Sequence, residues 1–142
     1  MRRRAFVTGL SLLAVEYVYA AHVAACARSD RPEEPVWGKQ PCAHCAMLVS
    51  DKRYAAQATM DGERRFFDDI GCMVLWADER RAPPHPAWVR DAEQGTWVDA
   101  RGARYAEGAK TPMDFGFEAR AAGGLAWDEM RARVIQRKKA ER

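Results

Sequence analysis

The chain of 142 residues lacks most of the patterns that announce an enzyme. It has no glycine-rich phosphate loop, no dinucleotide fingerprint and no nucleophile–base–acid series. Low-complexity tracts and internal repeats are missing, which argues against a repeat architecture. Histidine is scarce, at three residues, and a single C-x-x-C pair occurs, Cys42–Cys45. Without a second such pair, a four-cysteine zinc knuckle has too few ligands. Strong charge of either sign is also missing, with 23 basic against 20 acidic side chains. Setting aside the first 25 residues removes three arginines and one glutamate. That leaves 20 basic and 19 acidic residues and a net charge of +1, so no nucleic-acid partner is expected. The basic run at Arg137-Lys138-Lys139 reads as a solvated helix end, where cations suit the helix dipole.

A long uninterrupted apolar run is lacking as well. Phe6 to Ala25 is broken by Glu16 and His22, which makes a poor membrane span. Three arginines precede it and the small residues Val23-Ala24-Ala25 close it, so residues 1–25 read as an export signal. Arg3-Arg4-Ala5-Phe6-Val7 fits a twin-arginine signal as well as an ordinary Sec one. Val23-Ala24-Ala25-Cys26 resembles a bacterial lipobox, which makes Cys26 the lipidated first residue of the mature chain. The alternative is a chance cysteine beside a cleavage site. Residues 26–36, with a Pro/Glu stretch from Arg31 to Pro35, read as a tether, and 37–142 as one domain. The expected location is exported, on the periplasmic or cell-envelope side, held to the membrane by lipid.

Within that domain the hydrophobic patterning predicts an α+β fold. Strands are expected at Leu48–Ser50, Tyr54–Met60 and Arg64–Phe67, the last two joined by an Asp61-Gly62 hairpin turn. A helix is expected over Ile70–Arg81, capped by Asp68 or Asp69 and ended by Pro83, Pro84 and Pro86. Short strands follow at Ala87–Asp91, Thr96–Asp99, Ala103–Ala106 and Phe115–Ala119. A last helix spans about Asp128–Lys139, with Trp127, Met130, Val134 and Ile135 as its buried stripe. The five tryptophans read as core and interface residues.

With Cys26 assigned to lipid, three thiols remain: Cys42, Cys45 and Cys72. An odd number suits an oxidising compartment poorly as a disulfide framework and points to metal or redox work. Cys42, Cys45 and Met47 offer two thiolates and a thioether on one loop, soft donors that favour Cu(I) over hard cations. A redox disulfide, a zinc knuckle using His44, and a surface disulfide with Met47 as core filler remain open alternatives. The thiol–disulfide oxidoreductase reading lacks the helix expected straight after its C-x-x-C. Cys72, in the first turn of the predicted helix, is a further candidate as ligand, transfer sulfur or buried structural thiol. His44 ranks below the sulfurs, and His85 reads as a loop residue. Asp68 and Asp69 read as helix caps rather than paired catalytic carboxylates.

The series Cys42-Ala43-His44-Cys45-Ala46-Met47, Ala56-Gln57-Ala58 and Phe66-Phe67-Asp68-Asp69-Ile70-Gly71-Cys72 resembles the NosL family. The resemblance runs on through Trp88-Val89-Arg90-Asp91, Trp97-Val98-Asp99-Ala100 and Thr111-Pro112-Met113 to Gly123-Gly124-Leu125-Ala126-Trp127. It covers nearly all of the mature chain. These are copper-binding lipoproteins that serve the maturation of nitrous oxide reductase, and the resemblance implies a non-enzymatic copper chaperone. It also implies a Cu(I) site at Cys42, Cys45, Met47 and Met113. The implied fold is two small ββαβ-type lobes, related to the organomercurial lyase fold. Two departures stand out. Ala46 occupies a position where the family usually has glycine. Only Arg120-Ala121-Ala122 lie between Ala119 and Gly123, where the family carries a helix, so the second lobe is trimmed. The client is expected to be a copper enzyme, with nitrous oxide reductase the candidate that the resemblance names.

Overall fold

The computed structural model of the chain describes residues 31–140. Its elements run β1 (Ala56–Met60), β2 (Glu63–Phe67), α1 (Ile70–Glu79), β3 (Ala87–Arg90), β4 (Trp97–Asp99), β5 (Arg104–Glu107), β6 (Phe117–Arg120) and α2 (Trp127–Ala140). This is the α+β architecture expected, with two antiparallel sheets, an internal helix and a C-terminal helix.

The first lobe is a four-stranded sheet in the order β2-β1-β3-β4. Its hairpin closes at Asp61-Gly62, where both residues take positive φ (53° and 77°) and Met60 faces Glu63. That is the geometry of a two-residue primed turn, which matches the twist of the flanking strands. Helix α1 packs on β1 and β2 and also on β6 and α2. Its residues Ile70 to Ala77 are therefore buried all round rather than along one stripe. Phe67 meets Trp76 edge to face, with centroids 5.3 Å apart, and fixes β2 against α1.

The second lobe is the hairpin β5-β6, and the helix absent from the sequence is absent here too. A tight turn through Gly123 and Gly124 (φ 77° and 75°) returns the chain to the free side of β5. There Leu125 exchanges backbone hydrogen bonds with Tyr105, at 3.0 and 2.8 Å. A Cβ on Gly124 would lie 2.2 Å from the Tyr105 carbonyl oxygen, so only glycine permits this approach. The two sheets join at Asp91, which bridges to Ala119. Helix α2 buries Trp127, Met130 and Val134, while Ile135 is half-buried.

Two segments differ from expectation. Leu48–Ser50 forms no strand; Leu48 makes one isolated bridge to Pro41, because the segment before Pro41 is a turn, in which the Lys39 and Gln40 N–H groups donate to the Val36 carbonyl, and offers no extended partner. The end of the expected tether is docked on the sheet. Gln57, fully buried, accepts from the Glu33 N–H (2.9 Å) and donates to the Glu33 carbonyl (2.8 Å). Glu34 accepts from Arg90 (2.6 Å), Trp97 (2.9 Å) and Trp37 (3.0 Å). Cys26 and the export segment lie outside the described residues.

Candidate metal centre

The loop from Pro41 to Leu48 is a tight knuckle. The Cys42 N–H donates to the Met47 carbonyl (2.7 Å), and the Ala46 N–H donates to the Cys42 carbonyl (3.1 Å). Closing this turn puts Ala46 at φ 65°, a left-handed conformation that costs a non-glycine residue about 1–2 kcal/mol. Glycine takes this conformation without that cost. A bond from the Ala43 N–H to the Phe66 carbonyl (2.9 Å) ties the knuckle to the end of β2. The chain then passes through Asp68 into α1.

Asp69 is the cap of α1. Its carboxylate accepts from the Gly71 N–H (2.8 Å), from the Met113 N–H (3.1 Å) and from the Thr111 hydroxyl. One side chain therefore anchors the Thr111-Pro112-Met113 loop to the start of the helix that carries Cys72. Burial pushes the Asp69 carboxyl upward against these three donors.

With Asp69 occupied, Asp68 turns toward the cysteines. Donor atoms of Cys42, Cys45, Cys72 and Asp68 all lie within 4.8 Å of one another. The three thiols are reduced, Cys42 and Cys72 are buried, and Cys45 is partly open to solvent. The Cys45 thiol donates to Asp68 Oδ1 at 3.3 Å. Asp68 Oδ2, on a residue only 1% exposed, has no hydrogen-bond donor.

The thiols differ in character. Cys42 is drawn down to about 7, first by the Cys72 S–H that donates to it and also by the Cys45 and Asp68 backbone N–H groups, against burial and its bond to the Asp68 carboxylate. Cys45 is pushed up to about 12 by burial and the neighbouring Cys42, with partial relief from the Met47 N–H. Cys72 is pushed well above the usual thiol range by its bond to Cys42 and by burial. The cluster thus has one thiolate ready near neutral pH, and two thiols that give up protons when a cation replaces them.

Met47 is 50% exposed beside Cys45, and Met113 is half-buried against the core. His44 is not among the converging donors; its Nδ1 lies 3.7 Å from Glu79 Oε2. Asp68 was missed because either acid of Asp68-Asp69 suits a helix cap. The available signal was that one cap suffices, which leaves the second carboxylate to find another partner.

The fold has a counterpart among solved structures. The crystal structure of the copper chaperone NosL from Shewanella denitrificans matches with a TM-score of 0.54 over 74% of this chain and 87% of that one. The fold is NosL-like. Identity is 11%, so the likeness is one of fold. No protein-family model matches the chain, and no curated protein does. Among the described residues no helix is long and apolar enough to cross a membrane.

Proposed function

We propose that this chain is a copper(I) chaperone in which Cys42 and Cys45 hold the ion and the thioethers of Met47 and Met113 complete its shell. The observation that supports this reading is the convergence of reduced thiols in one pocket with a single edge open, at Cys45. Thiolate and thioether are the donors that a soft monovalent ion selects. Cys42 supplies a thiolate near neutral pH, and the Cys72 S–H and two backbone N–H groups stabilise its charge. The half-exposure of Met47 supports a donor that engages and releases as cargo passes to a partner. Asp69 sets where the Met113 backbone lies relative to α1. The likeness in fold to a copper chaperone favours a carrier over an enzyme.

The same proposal assigns Cys26 to lipid attachment and the domain to the extracytoplasmic face of a membrane. Its client is a copper enzyme, with nitrous oxide reductase the candidate from the sequence resemblance. The test is competition of the reduced chain against a Cu(I) chelator, beside the same titration with Zn(II). One Cu(I) per chain, held more tightly than Zn(II) and lost in Cys42→Ser and Cys45→Ser, is the expected result. Tighter retention of zinc would overturn the reading.

A further inference from the structure

We infer that the cavity where the end of α1, the β4–β5 turn and the start of α2 meet is a binding site for a small carboxylate with an apolar body. The cavity measures about 370 Å³ and is lined by Pro83, Arg101, Ala126, Trp127, Asp128 and Arg131. Small-ligand pockets run from about 300 to 1,000 Å³. Three separate segments supply the wall. Pro83 follows α1, Arg101 lies in the turn between β4 and β5, and the others belong to the start of α2 and the residue before it. Cys72 is in the first turn of α1, at its other end, and the site shares no side chain with the thiol cluster.

The charge of the lining calls for an anion. Two guanidiniums share the cavity with one carboxylate, a formal balance of +1. The Arg101 backbone N–H donates to Asp99 Oδ1 (3.0 Å), while its guanidinium has no ion-pair partner among the described residues. Arg131 has one, Asp128, at 3.9 Å along α2, and that carboxylate is 90% exposed. An exposed pair at this distance contributes little. Arg131 Nε is buried and has no acceptor, which is a costly state for a charged donor. Packing thus fixes Arg131 while its charge stays under-compensated. The cavity beside the β1–β2 hairpin offers a contrast. Its Arg65 and Arg80 are matched by Asp61 and Glu63, and both are engaged, Arg65 by Glu63 and Arg80 by the Trp76 carbonyl (3.0 Å) and ring.

The wall also selects the class of anion. Guanidinium presents planar pairs of N–H groups that match a carboxylate or a phosphate. A single excess positive charge, with Asp128 beside it, favours a monoanion over a multiply charged phosphate. Pro83, Ala126 and Trp127 supply apolar surface for the rest of the ligand. The Trp127 ring is itself held by Tyr105, with centroids 6.0 Å apart, so this surface is set before a ligand arrives. A free organic acid and the C-terminus of a peptide present the same carboxylate.

The test is an NMR titration of the reduced full chain without copper, reading the Trp127 indole N–H and the backbone N–H groups of Arg101, Gly102 and Ala126. The probes are phenylacetate for a free acid, N-acetylphenylalanine for a peptide C-terminus, the amide of the latter as an uncharged control, and inorganic phosphate. Saturable shifts at these signals with a carboxylate, and none with the amide, are expected; the tighter of the two carboxylates identifies the source. Arg101→Gln and Arg131→Gln should each weaken binding by at least about tenfold. Asp128→Asn, at an exposed position, removes the competing charge and should tighten binding by about two- to fivefold. That variant decides the matter should Arg131→Gln fail to fold. The inference is overturned if neither carboxylate gives a saturable shift, if the amide binds as well, or if phosphate binds more tightly than both carboxylates. It is also overturned if Asp128→Asn leaves carboxylate binding unchanged or weaker.

Discussion

Replacing Gly71 with alanine tests how the two lobes meet beside the site. Gly71 is in the first turn of α1, and the Phe115 ring lies directly against it. A Cβ there would sit 2.2 Å from Phe115 Cγ. Carbon atoms in contact prefer about 3.5–4.0 Å, so the ring must retreat by more than about 1 Å. Overpacking of this kind costs about 1–3 kcal/mol, and the better helix propensity of alanine returns at most about 1 kcal/mol. Gly71→Ala is therefore expected to destabilise the reduced apo chain by about 1–2 kcal/mol. Phe115 is 7% exposed, and Phe115→Ala alone should cost about 3–5 kcal/mol. With the ring gone, the added methyl still meets the Cβ of residue 115, at 2.6 Å, so only part of the clash is relieved. In that background Gly71→Ala should cost about 1 kcal/mol less than in wild type. Urea denaturation of the four proteins, compared at constant m-value, measures the cycle. Equal destabilisation in both backgrounds would show that the ring contact is not what requires glycine.

Three further expectations concern the knuckle, the thiols and the anchor. Ala46→Gly relieves a left-handed alanine and should stabilise the chain by about 0.5–1 kcal/mol net of its entropic cost, with Cu(I) affinity unchanged; a lower urea midpoint would count against the strain. Cys42 has a depressed folded pKa of about 7, so its contribution to stability is present above the ordinary value of 9.0 and is lost as pH falls through 7. Cys45 and Cys72 are raised and oppose it only above 9.0, so the reduced apo chain should gain stability between pH 7 and 9 and no further beyond. Loss of stability across that interval would refute the assignment, and Cys72→Ala should flatten the gain. Cys26→Ser should release the protein from membranes and block incorporation of labelled fatty acid; soluble, unlabelled wild type would end the lipid-anchor proposal.

The parts of the fold legible in the sequence were those set by local chemistry. Asp61-Gly62 demands a turn with two positive φ values, and the β1–β2 hairpin forms there. Alternation and helical spacing located α1 and α2 within one or two residues at their starts. Leu48–Ser50 misled because it resembles a short strand, while the segment opposite it turns at Val36–Gln40 and gives it no extended partner. Docking of Glu33 and Glu34 was hidden because it depends on Gln57, Arg90 and Trp97, far along the chain. The site divides similarly. Cys42, Cys45 and Met47 were visible as one short motif. Cys72 converges with them only because β2 delivers α1 to the knuckle, and no local pattern reports that. Asp68 and Asp69 looked alike in sequence, and only packing separates the cap from the carboxylate facing the sulfurs.

The central claim is that sulfur from Cys42 and Cys45 holds Cu(I). X-ray absorption at the copper K edge, on the reduced chain loaded with one equivalent of Cu(I), tests it most directly. The account predicts the edge of a monovalent ion and a first shell of sulfur alone, which loses scatterers in Cys45→Ser. A shell built on nitrogen or oxygen, or one that Cys45→Ser leaves unchanged, would contradict it.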